Sequence, residues 1–178
     1  MKTSVNPRKR SGSRSVRKAA VLQVLSAVLG LWVLGSAMLH RLPHDVSDRA
    51  RAPLFQGANI EPSVSYVFSH ACVDCHSEKT RWPWYSNVAP ASWFVEADVQ
   101  RARSLLNLSR WDSLGTAEQR ALLTAIATVI ENHEMPPHRY VILHPHARLS
   151  PEDSAQVIEW TRAERRRLRA AIDTANAN

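Results

Sequence analysis

The chain has 178 residues, enough for one domain plus an additional segment, and its 44% hydrophobic and 22% charged content excludes wholesale disorder. Its pI of about 10.1 invites a nucleic-acid reading, but the net charge of +7 has a single location. Lys2, Arg8, Lys9, Arg10, Arg14, Arg17 and Lys18 fall within the first 18 residues with no acidic residue among them, and the rest of the chain carries sixteen basic against sixteen acidic side chains. A nucleic-acid reader carries its positive charge on the folded domain. The excess is therefore a topology signal, and no nucleic-acid partner is expected.

From Ala19 to Leu39 the chain is uncharged, with only Gln23, Ser26 and Ser36 as polar side chains. A helix of that length spans roughly 30 Å, the thickness of a bilayer's hydrocarbon core. Positive charge on its N-terminal side predicts a basic cytoplasmic tail over 1–18, a transmembrane signal-anchor over 19–39, and everything after His40 outside, in the periplasm. The alternative is a cleaved secretory signal with Gly35-Ser36-Ala37 at the cleavage position. For that reading the apolar run is long for an h-region and the basic leader long for an n-region. Either way the folded part is exported.

Residues 40–61 contain Pro43, Pro53 and Gly57 with mixed charge and little periodicity, which reads as a linker. The domain is expected over 62–172, followed by a frayed polar tail over 173–178. No run of alternating β-branched residues argues for a sheet, so the fold class expected is all-α, a small helical domain.

A short helix is expected from Val64 to His76, and it ends in Cys72-Val73-Asp74-Cys75-His76. Attaching haem c takes two thiols near the two vinyl groups of one porphyrin and an imidazole able to reach the iron. On a helix, positions i, i+3 and i+4 share a face, and this Cys-x-x-Cys-His spacing reads as c-type haem attachment. A thioredoxin-type dithiol wants a βαβ context. A zinc site needs two further ligands, and although His144 and His146 are available a second Cys pair is absent. A simple disulfide leaves His76 unexplained. His76 is thus expected to be an axial ligand.

Arg81-Trp82-Pro83-Trp84-Tyr85 follows closely. Arg81, Trp82, Trp84 and Tyr85 are expected to contact the haem, with Arg81 or an indole N–H meeting a propionate; ordinary core packing is the plainer reading. After Pro90 a helix is predicted with Val95, Val99, Ala102 and Leu106 as its apolar stripe, and Glu96, Asp98, Arg101 and Arg103 facing water. The next starts at Thr116 with Gln119 as a capping box and buries Leu122, Leu123, Ile126, Val129 and Ile130, with Pro136-Pro137 ending it.

Met135 lies at that end. Its thioether suits iron, Met1 lies at the chain start and Met38 falls inside the apolar segment, so Met135 is expected as the sixth ligand. Core filling is the ordinary alternative for a methionine, and His133, His138, His144 and His146 are rivals for the iron, His138 the best placed. The last helix starts at Ser150-Pro151 with Glu152 and Asp153 in its first turn and buries Val157, Ile158, Trp160 and Leu168. Arg162, Arg165, Arg166, Arg167 and Arg169 on it read as a solvated helix end, or as a surface for an acidic partner or lipid.

Two longer stretches carry a resemblance. Residues 72–93, CVDCHSEKTRWPWYSNVAPASW, and 134–150, EMPPHRYVILHPHARLS, resemble the small haem-binding domain family of bacterial exported c-type cytochromes. The resemblance runs roughly from Val64 to Arg162. It implies a single covalent haem c on Cys72 and Cys75 with His76 as axial ligand, and the Met-Pro-Pro segment on the other haem face. It does not define a physiological reaction. One-electron transfer with redox partner proteins of a respiratory or periplasmic chain is the function expected, more an electron carrier than an enzyme. An open-site haem enzyme or sensor, peroxidase-like, is the alternative, and a relay module within a larger respiratory complex the third reading.

Overall fold

The computed structural model describes residues 12–39 and 53–177. Among them every regular element is helical: α1 (Gly12–Leu39), α2 (Pro62–Ala71), α3 (Val73–His76), α4 (Ala91–Leu105), α5 (Thr116–Glu131), α6 (His138–Leu143) and α7 (Pro151–Ala177), with short 3-10 turns between them. The all-α expectation holds. Contacts divide the chain into two compact units, residues 1–43 with 83–94, and residues 44–82 with 95–178.

In the first unit, α1 is uncharged from Ala19 onward, and Val21, Leu25, Leu29 and Leu31 are among its exposed side chains. Such a helix suits a non-aqueous surround. The stretch Val16–Gly35 is long and apolar enough to cross a membrane. The other part of this unit holds the 3-10 turn Trp84–Asn87 and the first residues of α4.

The second unit is built around aromatic residues. Phe55 is 1% exposed, and its ring meets Phe68, Trp111 and Trp160 edge-on at centroid distances of 4.7, 5.0 and 5.0 Å. Edge-to-face pairs add about 0.5–1.5 kcal/mol each beyond their buried area. Leu108, Leu123, Ile126, Ile130, Val157 and Leu168 complete this core. Residues 53–61 are therefore no linker. Phe55 N–H donates to Leu108 O (3.1 Å), Trp160 Nε1 donates to Asn59 O (2.8 Å), and Asn59 N–H faces the buried carboxylate of Glu164 at 3.4 Å. A turn at Gly57 with φ of +90° returns the chain, a conformation that glycine adopts without steric cost. The upstream part of the expected linker, residues 40–52, lies outside the described residues.

The helices differ from expectation at their ends. The helix expected from Val64 to His76 is interrupted at Cys72, whose φ and ψ of −123° and −33° are not helical, so α3 is a separate single turn. Thr116 is the first residue of α5 and Gly115 its cap, without a side-chain capping bond. Gln119 does not close a capping box; its Nε2 donates to Trp111 O (2.9 Å).

α5 stops at Glu131, before the prolines. His133 N–H donates to Ile130 O (3.0 Å) and Glu134 N–H to Val129 O (2.8 Å), with His133 at φ of 57°. That is a Schellman ending with a histidine in the left-handed position usually given to glycine. The start of α7 does have a reciprocal cap: Asp153 N–H donates to Ser150 Oγ (3.0 Å), and Ser150 N–H to Asp153 Oδ2 (2.9 Å). α7 then continues through the expected frayed tail to Ala177, helped by the spacing of Arg169 and Asp173.

Candidate functional site

The cysteine–histidine motif occupies one turn. Cys72 O accepts from Cys75 N–H (3.2 Å) and His76 N–H (2.9 Å), while Cys72 N–H still donates to Phe68 O (3.0 Å). The motif is thus carried on the end of α2, which is anchored in the core through Val64, Val67 and Phe68. His76 Nδ1 lies 3.1 Å from Leu106 O. A carbonyl only accepts, so Nδ1 carries the proton and Nε2 keeps its lone pair for a metal. Burial pushes the His76 pKa down, against the raising effect of the Leu106 and Ala102 carbonyls. A neutral imidazole with a fixed tautomer is what iron ligation requires.

Both thiols are free. Burial pushes the Cys72 thiol up to about 12, with Cys75 adding to the effect. Burial likewise raises the Cys75 thiol to about 11, helped by Asp74 and Asp98 and opposed by Arg103 and Arg139. A redox dithiol depends on a lowered thiol pKa, so these cysteines do not have the environment of a thioredoxin-like pair. Among the described residues no group of three or more His, Cys, Asp or Glu stands ready to hold a metal ion.

The loop after the motif is held by polar bonds that the sequence did not announce. Arg103, expected to face water, donates from Nε to Ser77 O (2.8 Å) and from Nη2 to Thr80 Oγ1 (2.8 Å). Glu78 pairs with Arg110 (2.6 Å), and Glu78 N–H donates to Ser109 Oγ (3.1 Å). Asp74, inside the motif, accepts from Arg81 Nε (3.0 Å), Arg81 Nη2 (3.2 Å) and Tyr140 Oη (3.1 Å). That last bond joins the motif to α6, a few residues beyond Met135. No periodicity marks Asp74, Arg103 or Tyr140.

The expected site residues are distributed as follows. Cys72, Cys75 and His76 share the turn. Arg81 turns its guanidinium to Asp74, and this pair holds the arginine pKa above its ordinary value. Trp82 is half-buried in the same unit as the motif. Trp84, 80% exposed, and Tyr85 pack edge-on at 5.8 Å in the other unit. Met135 is 38% exposed, with its N–H on Val129 O (3.3 Å). Of its rivals, His133 ends α5, His138 is exposed at the start of α6, and His144 stacks on Tyr140 at 4.2 Å. Arg162, Arg165, Arg166 and Arg169 line a shallow groove with Arg120 of α5, while Arg167 pairs with Glu164 (2.6 Å).

Two free thiols beside a tautomer-fixed imidazole suit a haem, and the family comparison agrees. The model of the haem-binding domain family matches residues 33–163. The chain belongs to that family. It is also 25% identical over 115 residues to the cytochrome c peroxidase Ccp of Escherichia coli (strain K12), across 63% of this chain and 25% of the peroxidase. The chain therefore spans about a quarter of the length of that curated relative. No solved structure matches it.

Proposed function

We propose that this haem-binding chain is a membrane-tethered c-type cytochrome that passes single electrons at the periplasmic face of a bacterial inner membrane. The observation that carries this reading is the Cys72–His76 turn with His76 Nδ1 tied to Leu106 O at 3.1 Å. Cys72 and Cys75 would hold one haem through thioethers, each thiol S–H being consumed by one vinyl group, and His76 Nε2 and Met135 would be the protein ligands of its iron. When bound, haem supplies a one-electron iron couple, and histidine–methionine ligation sets it at a relatively high potential. Sequence proximity supports Arg81, Trp82, Trp84 and Tyr85 as ring contacts, although Arg81 first has to be shared with Asp74.

The positive N-terminal flank supports a cytoplasmic N-terminus, α1 as the anchor and the haem domain outside. Redox proteins of a respiratory or periplasmic chain are the partners, and the arginine-lined groove of α5 and α7 suits an acidic one. The similarity to a cytochrome c peroxidase favours one second reading, an open iron site that reacts with peroxide.

Optical spectra of the matured full-length protein separate the two. The weak long-wavelength ferric band of methionine ligation, its loss in Met135→Ala and poor carbon monoxide binding are expected for the carrier. A high-spin ferric spectrum with ready carbon monoxide binding supports the open site instead.

A further inference from the structure

Asp74 is one of the two residues between the motif cysteines, and its partner in that gap, Val73, is buried. The Asp74 side chain is only 14% exposed, and both its oxygens are used. Oδ1 accepts from Arg81 N–H (3.2 Å) and Nε, Oδ2 from Arg81 Nη2 and Tyr140 Oη. One carboxylate therefore ties the motif turn to α6, across 66 residues of sequence.

The path from Tyr140 back to Met135 has little slack. Tyr140 N–H donates to Pro137 O (2.9 Å), and the residues between are Pro136, Pro137 and the first turn of α6. The two prolines fix their own φ angles. Beyond Met135, the Schellman ending fixes the chain to α5 through Glu134 N–H and Met135 N–H, both on Val129 O. From the far side, His144 stacks on the Tyr140 ring, and its backbone N–H donates to Tyr140 O (2.9 Å). A second tie, Arg139 to Asp98 at 2.8 Å, is exposed at both ends, where ion pairs contribute little. The Met135 loop thus hangs between α5 and the Asp74–Tyr140 bond.

We infer that Asp74 is a positioning residue: through Tyr140 it holds the loop that presents Met135 to the iron. This rests on the histidine–methionine ligation proposed above. Neutralising Arg81 is the ordinary role for such a carboxylate, but that guanidinium is 64% exposed, so water can take the carboxylate's place there. The Tyr140 phenol donates to the same carboxylate from α6.

The test uses the full-length protein matured with covalent haem, in detergent, as wild type, Tyr140→Phe, Asp74→Asn and the double variant. The readouts are the ferric methionine band and the carbon monoxide affinity of the ferrous protein. Tyr140→Phe lies outside the attachment motif and leaves the folded core untouched. It is expected to weaken the band and raise carbon monoxide affinity several-fold. Asp74→Asn should move both readouts in the same direction, and the double variant no further than the stronger single change. If the wild type shows the band and both Tyr140→Phe and Asp74→Asn retain it at full strength, the positioning role is wrong while the ligation stands. If the wild type itself lacks the band, the ligation reading fails.

Discussion

The aromatic core and the cysteine–histidine turn lie in the same unit of the chain but are held by different forces. Around Phe55 nearly everything is apolar, and stability comes from burial and edge-to-face aromatic packing. Around His76 the elements are set by directed bonds: Leu106 O on the imidazole, Arg103 on the following loop, Asp74 on α6. The first region decides whether the chain folds. The second decides where a few atoms sit. Substitutions should therefore separate, with core changes showing up in unfolding and site changes in spectra.

The largest effect expected is Phe55→Ala, which removes a ring in contact with three aromatic partners. Denaturant unfolding should show a loss of about 3–5 kcal/mol; a loss under about 1 kcal/mol would mean that residues 53–61 are not part of the cooperative core.

Arg103→Ala comes next, because it removes the short donor to Ser77 O and leaves that carbonyl only Thr80 Oγ1 at 3.4 Å. A cost of about 1–3 kcal/mol is expected, together with a lower yield of haem-loaded protein, measured as haem absorbance per polypeptide. Wild-type stability and loading together would show that the loop holds its place without Arg103.

Ser150→Ala removes the cap of α7, and thermal unfolding at neutral pH should show a loss of about 1 kcal/mol. The same cap carries a pH signature. The Ser150 backbone N–H holds the Asp153 pKa below its ordinary value, with the Ser150 hydroxyl assisting and burial opposing. A carboxylate with a depressed folded-state pKa contributes its full stabilisation above its unfolded value, about 4, and loses it as pH falls through the folded value. Asp153→Asn should therefore flatten the stability profile below about pH 4 and leave its shape above that unchanged.

The smallest stability effect is expected for Tyr140→Phe, about 0.5 kcal/mol for one part-buried hydrogen bond, despite its spectral effect. A large destabilisation would place Tyr140 with the core rather than with the site.

The same contrast explains what was legible in the sequence. Apolar periodicity marks burial, so the stripes of α5 and α7 were placed well, with Leu123, Ile126, Ile130, Val157, Trp160 and Leu168 all buried. The Cys72–His76 spacing was legible because the chemistry of attachment fixes it locally. Phe55 was missed because a single aromatic among Pro, Gly and charged residues has no period, and its partners come from three distant segments. Arg103 was assigned to solvent on helical phase alone, yet a long guanidinium reaches a carbonyl that phase does not report. The α5 end was displaced because proline is a visible stop signal, while a histidine taking glycine's place in a Schellman ending is not. Asp74 and Tyr140 show the general limit: a hydrogen bond between residues 66 apart leaves no trace in local pattern.

The most direct test of the proposed c-type site is the intact mass of the matured full-length protein after acid–acetone extraction, with peptide mapping of the modified segment. One haem mass retained on the chain, mapped to the peptide holding Cys72 and Cys75 and absent from the Cys72→Ala/Cys75→Ala double variant, is the expected result. An apoprotein mass with all haem in the organic phase would contradict covalent attachment and leave a haem-binding domain of another kind.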